Sequence, residues 1–284
     1  MKLTNKHGLP EAFVRASQGS IYRPSNNFSP STLAKSPRQY WLYKRHWDEL
    51  EEDVSNRVWA IMGTAVHTVL ERGHGENELN EQYLKEPLNG FTISGVCDNY
   101  NAVTCTVSDY KVTSVWSIIY DKSEEWEKQL NVYAWLYRKA GFEVDSLEVV
   151  ALLRDWKKRQ AKYDKKYPQS NVRKIKIKLW TDEQTENYLM ERIASIMSEA
   201  VKPDDELTPC TMQEKWEDPT IYAVMKKGRK ASLKNCYSME EAEKVKAAKG
   251  ADFIEVRKGE ATNCLDYCPV SQFCNQFKEE QVDR

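Results

Sequence analysis

The sequence predicts an α/β (α+β) fold in which strands and helices interleave along most of its 284 residues. Residues 91–96, 102–112, 147–153 and 175–180 are β-branched, or alternate apolar with polar side chains at the two-residue period of strands. Residues 56–72, 124–139 and 181–200 instead space their apolar side chains three and four apart, the helical period.

The first twenty-eight residues show little periodicity and read as irregular chain wrapped on a core. Ser29-Pro30-Ser31-Thr32-Leu33 starts a helix: Ser29 caps it, and Pro30 at the first position sacrifices no hydrogen bond. Pro37 breaks or restarts that helix, and Tyr40, Trp41, Tyr43 and Trp47 follow on a basic stretch. In 56–72, Val58, Ile61, Met62, Ala65, Val66, Val69 and Leu70 cover most of the circumference, which predicts a buried helix ended by Gly73 and Gly75. The strands over 91–96 and 102–112 form a hairpin with Asn99-Tyr100-Asn101 as its turn. The helix over 124–139 carries a stripe of Trp126, Leu130, Tyr133 and Tyr137 and stops at Gly141. A strand over 147–153 leads through a basic segment to another over 175–180, and Thr181-Asp182-Glu183-Gln184 opens the next helix. Pro203 and Pro209 mark a linker. They divide a core with an N-terminal helical segment, 1–202, from a cysteine-containing region packed on it, 203–284, with strands near 221–225 and 253–256 and a helix near 239–248.

With 40% hydrophobic and 30% charged residues the composition is that of an ordinary globular protein. No run approaches the roughly 18 apolar residues of a membrane span, and Met1 to His7 lack the apolar core of a signal peptide. A cytoplasmic location with no membrane partner is expected, with the seven cysteines reduced or metal-bound. The net charge of −1 hides an asymmetry. Between Arg154 and Lys178, eleven basic residues face only Asp155 and Asp164, so this segment is +9 and the rest of the chain −10. A basic arm on an acidic body suits contact with phosphate at one face, through Lys157, Lys158, Arg159, Lys162, Lys165, Lys166 and Arg173; a solvated charged hairpin is the alternative.

The hairpin carries the most telling chemistry. Asp109 and Lys111 point the same way from a strand, and Asp98 on the preceding strand reaches the same point. Two close carboxylates repel each other and gain a shared divalent cation, which activates water and offsets phosphoryl charge. Lys111 then orients the nucleophilic water or stabilises the transition state, and the Tyr110 carbonyl adds a ligand. Asp-x-Lys is common, and a surface ion pair is the plain alternative. Two neighbours support the site. Gly63, His67 and Glu71 share one helix face, where glycine admits another backbone and Glu71 orients the imidazole; Gln129 and Tyr133 share a face of the later helix.

Gly63-xxx-His67, Gly95-xx-Asp98, Asp109-x-Lys111 and Gln129-xxx-Tyr133 occur in one order. Together they resemble the PD-(D/E)XK nuclease superfamily, specifically its RecB-type branch. The resemblance implies a mixed central sheet flanked by helices, with His67, Asp98 and Asp109 binding Mg²⁺ or Mn²⁺, Lys111 catalytic, and Gln129 and Tyr133 lining the active site. Asn5 to Pro10, Arg154-Asp155-Trp156, Tyr167-Pro168, Gln129-Leu130-Asn131 and Cys210 to Trp216 look like landmarks of phage-type exonucleases of this superfamily, so the resemblance covers nearly the whole chain. It implies an exonuclease acting on ends of linear DNA in phage-type recombination, repair or processing. The setting would be the host cytoplasm if the chain is phage-encoded, with a recombination or single-strand-binding protein as a partner and the oligomeric state open. The alternatives are a non-catalytic DNA-binding or assembly module on the same fold, or a nuclease subunit of a larger repair complex.

Cys264, Cys268 and Cys274 lie within eleven residues, a density that suits metal ligands. Several RecB-type nucleases place the first cysteine of an iron–sulfur cluster near the N-terminus before Pro-Arg; here that context reads Ser36-Pro37-Arg38. Cys210 is the expected substitute, with Cys236 the next choice, while Cys97 and Cys105 read as packing residues of the hairpin. The expectation is a structural site of Cys210, Cys264, Cys268 and Cys274 holding [4Fe–4S] or Zn²⁺ and clamping the tail to the body.

Overall fold

The computed structural model describes all residues except Ser20, Tyr22, Pro24, Asn26, Lys122, Asp283 and Arg284. The strands are β1 (Lys2–Thr4), β2 (Asn27–Phe28), β3 (Glu51–Asp53), β4 (Glu78–Leu88), β5 (Phe91–Asn101), β6 (Thr106–Thr113), β7 (Ser146–Leu153), β8 (Val172–Ile177), β9 (Ile221–Met225), β10 (Lys234–Cys236) and β11 (Phe253–Arg257). The helices are α1 (Glu11–Gln18), α2 (Pro30–Leu33), α3 (Pro37–Arg45), α4 (Val58–Glu71), α5 (Val115–Ile119), α6 (Ser123–Lys139), α7 (Lys158–Tyr163), α8 (Asp182–Met197), α9 (Met212–Lys215), α10 (Met239–Lys249) and α11 (Asn275–Val282). Two units emerge: Met1–Lys35 with Trp47–Ser198, and Ser36–His46 with Glu199–Arg284. Among the described residues no helix is long and apolar enough to cross a membrane.

The first unit is α/β, built on a mixed central sheet flanked by helices. β5 pairs antiparallel with β4 and, at its C-terminal end, with β6; β2 runs parallel to its start. β6 and β7 are parallel and β8 closes the far edge antiparallel. A parallel pair needs a crossover, which α5 and α6 supply. Leu130, Tyr133, Trp135 and Tyr137 of α6 are buried, and α8 adds Leu189, Ile193 and Ile196. Ser29 and Ser36 each accept a backbone N–H three residues on, from Thr32 and Gln39, so the prolines that follow them start α2 and α3.

Several expectations are corrected. The first residues are not wholly irregular: β1 pairs with β3 and α1 lies against α4. The hairpin turn follows Asn101 rather than containing it, because Asn101 Oδ1 accepts from the Val103 and Thr104 N–H groups and forces the bend there. Val103 and Cys105 therefore belong to the turn, and Asp98 lies within β5. β4 was not expected, since it is mostly polar and carries Pro87, as an edge strand tolerates. Its signal was Asn89-Gly90, whose φ values of 46° and 83° make the two-residue turn joining Leu88 to Phe91. α4 is not buried all round: within its unit it packs on α1 and β6, while Trp59, Met62 and Val69 are exposed and the Arg154 guanidinium lies 4.1 Å over the Trp59 ring.

The second unit holds an antiparallel sheet, β10-β9-β11, with Val224, Cys236 and Ala242 at its centre. α3 belongs here rather than with the first unit. Buried Arg38 donates to the Leu207 carbonyl, to the Thr208 carbonyl at 3.3 Å and to Asn275 Oδ1 at 2.6 Å. Arg45 and His46 both bond Asp204 at 2.7 Å.

Candidate metal centre

The site is built by register. The β4–β5 ladder runs through Asn80↔Asn99 and Gln82↔Cys97, which sets Glu81 opposite Asp98. The β5–β6 ladder ends at Asn99↔Ser108, and one step further Asp98 faces Asp109. There the two strands part. Asp98 Oδ2 accepts the Tyr110 N–H at 2.7 Å, and β6 continues paired with β7. Three neighbouring strands thus each place one carboxylate at the fork. Nearby, the Tyr133 ring lies so close to β5 that a Cβ on Gly95 would come within 2.7 Å of Tyr133 Cε1, so glycine is what admits it.

His67 of α4 faces this row. Its Nε2 lies 3.1 Å from the Tyr110 carbonyl, an acceptor, so Nε2 carries the hydrogen. Nδ1 points at Asp98 Oδ1, 3.5 Å away, and Glu81 Oε1, 3.6 Å away. Nδ1 and the two carboxylate oxygens thus converge, a set of donor atoms that could hold a cation. The Tyr110 carbonyl, expected as a ligand, is here the group that orients the imidazole. Glu71, expected in that orienting role, is exposed on the last turn of α4. A Cβ added at Gly63 would meet no atom within 4 Å, so no other backbone approaches that glycine.

Asp109 is 1% exposed. Its Oδ1 accepts from Gln129 Nε2 at 3.3 Å, and its Oδ2 lies 2.7 Å from Lys111 Nζ, in an ion pair whose angle is poor for a hydrogen bond. Gln129 also donates to the Tyr133 hydroxyl at 3.4 Å. The helical i, i+4 pair therefore ties Tyr133 to Asp109, and burial keeps the Tyr133 phenol neutral by pushing its pKa up. The Asp98, Asp109, Lys111, His67, Gln129 and Tyr133 side chains, predicted from four separate motifs, converge. Glu81 was missed.

Burial, and next the neighbouring Asp109 carboxylate, push the Asp98 carboxyl up to about 7, against the opposing pull of His67. The folded chain thus holds this proton more tightly than the unfolded chain, so lowering the pH from about 7 towards 4 stabilises the cation-free fold. A cation must displace the same proton. Mn²⁺ affinity is therefore expected to fall by up to about tenfold per pH unit below pH 7, with proton release seen by calorimetry. An affinity unchanged between pH 6 and pH 8 would contradict this.

The basic segment spans α7 and β8 and the loops around them. Lys157, Lys158, Arg159, Lys162, Lys165, Lys166 and Arg173 are exposed, and none forms an ion pair among the described residues. The loop is pinned at its base: Trp156 Nε1 donates to the Pro168 carbonyl at 2.7 Å, and the Lys157 N–H to the Tyr167 hydroxyl at 3.0 Å. Asp155, one of its two acidic residues, is occupied in capping α5 through Val115 N–H and Ser114 Oγ.

In the second unit Cys210, Cys264, Cys268 and Cys274 line one pocket with Arg38, Gln39, Leu42, Val270 and Phe277. Ser36 Oγ lies 3.1 Å from Cys210 Sγ, so the substitute cysteine arrives beside the serine that replaces the expected one. Arg38 and Gln39 point N–H groups at Cys274 and Cys268, at 3.8 and 3.9 Å. Burial and then the neighbouring thiols push Cys264 up to about 12, and burial pushes Cys210 up to about 11, so ionising this set requires a positive centre. Four thiols, an apolar lining and N–H donors could hold a thiolate-bound metal centre, [4Fe–4S] or Zn²⁺. Cys236 instead belongs to the β9–β11 core.

No family model and no curated protein matches the chain. Among solved structures it is similar to SSO0001, with a TM-score of 0.44 and 19% identity over 64% of this chain and 83% of that one. It is also similar to a phage related exonuclease from Haemophilus somnus 129PT, with a TM-score of 0.31 and 14% identity over 66% of this chain and 78% of that one.

Proposed function

We propose that this chain is a Mg²⁺- or Mn²⁺-dependent deoxyribonuclease of the PD-(D/E)XK superfamily, RecB-type branch, which removes nucleotides from the ends of linear DNA and leaves 5′-phosphates. The observation that carries the reading is the fork between β5 and β6: buried carboxylates and an imidazole nitrogen face one another with a lysine alongside. A structural ion pair has no use for that surplus of acceptors, whose burial is costly.

Asp98, Asp109 and His67 would hold the cation, which when bound polarises the phosphate and favours ionisation of water. Lys111, steered by Asp109, orients the attacking water and offsets the charge that grows on the phosphoryl oxygens. Gln129 keeps Asp109 turned towards the fork, and Tyr133 holds Gln129 in place. The pinned basic loop meets the DNA backbone. The four cysteines would hold [4Fe–4S] or Zn²⁺, tying Ser36–His46 to the C-terminal segment of its own unit.

Linear single- and double-stranded DNA and closed circles, each incubated with Mg²⁺ or Mn²⁺, test this. Metal-dependent loss of linear DNA by wild type, absent in Asp109→Ala, supports it, and intact circles mark an exonuclease. Binding of DNA by wild type with no metal-dependent cleavage would assign a binding module instead.

A further inference from the structure

We infer that Glu81 is a further ligand of the divalent cation, beside His67, Asp98 and Asp109. The inference rests on the nuclease reading for the identity of the ion, Mg²⁺ or Mn²⁺.

Three observations support it. Among the described residues, the one group of three or more His, Cys, Asp or Glu donors all within 4.8 Å of one another is His67, Glu81 and Asp98. Asp109 shares its charge with Lys111 at 2.7 Å and Gln129 at 3.3 Å, so a divalent ion at the fork gains from another carboxylate. Glu81 also adopts φ of 49° in the middle of a strand, a left-handed conformation that a glutamate enters only against steric cost. Unlike Asn or Asp, its longer side chain gains no local hydrogen bond there. The compensation lies where its carboxylate goes, 3.6 Å from His67 Nδ1. Strain held at a residue that aims a donor into a cleft is the pattern of a functional position. An ion pair with a protonated His67 is the competing account, and it gives Glu81 no part in metal binding.

Mn²⁺ binding to the full chain, measured by calorimetry and electron paramagnetic resonance without DNA, separates the two. Glu81→Gln is expected to weaken Mn²⁺ binding at least about tenfold. Glu81→Gly is expected to weaken it as much while its metal-free melting temperature equals or exceeds that of wild type, because glycine relieves the backbone at this φ. That second variant shows that lost affinity does not come from lost folding. Affinities within tenfold of wild type in folded variants would overturn the inference. Glu81-dependent Mn²⁺ binding by a wild type that cleaves no DNA would leave the ligand assignment standing and remove the nuclease reading.

Discussion

Lys111→Ala is expected to slow DNA cleavage about 10³-fold while DNA binding in the absence of metal changes little, a loss of roughly 4 kcal/mol of transition-state stabilisation. The ammonium is 26% exposed and 2.7 Å from Asp109 Oδ2. It lies at the edge of the fork, where an incoming phosphodiester would bring negative charge beside three carboxylates. Without Lys111 that charge builds up against Asp109 unopposed. The change leaves β6 paired to β7 and Asp98 bonded to the Tyr110 N–H, so circular dichroism and melting should stay close to wild type. Single-turnover rates on linear DNA, set against binding in chelator, make the comparison. A variant within tenfold of wild-type rate would place the chemistry elsewhere.

The second large effect concerns the cysteine pocket. The purified wild-type protein is expected to carry about four irons or about one zinc per chain, and Cys264→Ser to lose most of that metal. Metal-linked folding free energies reach about 10 kcal/mol or more in small metallo-domains, so the second unit should suffer heavily. Hydrogen exchange should rise in Ser36–His46 and in the segment around Leu207, which Arg38 otherwise holds. Protection in β4 to β8 should change far less. Wild-type protein free of iron and zinc, with four freely titrating thiols in a folded second unit, would rule the metal site out.

Much of the site was legible because its residues repeat familiar local spacings. Asp109 and Lys111 alternate along one strand, Gln129 and Tyr133 stack along one helix, and three cysteines crowd a short tail. Each pattern reports its own element, and the fold needed only to bring the elements together. Glu81 was illegible for the opposite reason. Its strand is polar and unalternating, and its place in the site comes from a two-residue turn at Asn89-Gly90 that sets the register with β5. A left-handed backbone at a glutamate has no sequence signature. α3 was misplaced because its allegiance comes from carbonyls some 170 residues away, which Arg38 bonds. Periodicity marked the apolar surface of α4 correctly but could not count the elements that cover it.

The measurement that bears most directly on the central claim is end analysis of linear DNA after incubation with Mn²⁺. Wild type should release 5′-phosphorylated nucleotides, chelator should stop it, and Asp109→Ala should release none while still binding DNA. Wild-type protein that binds DNA yet releases no nucleotide with Mn²⁺ or Mg²⁺, or that releases it equally well in chelator, would contradict the account.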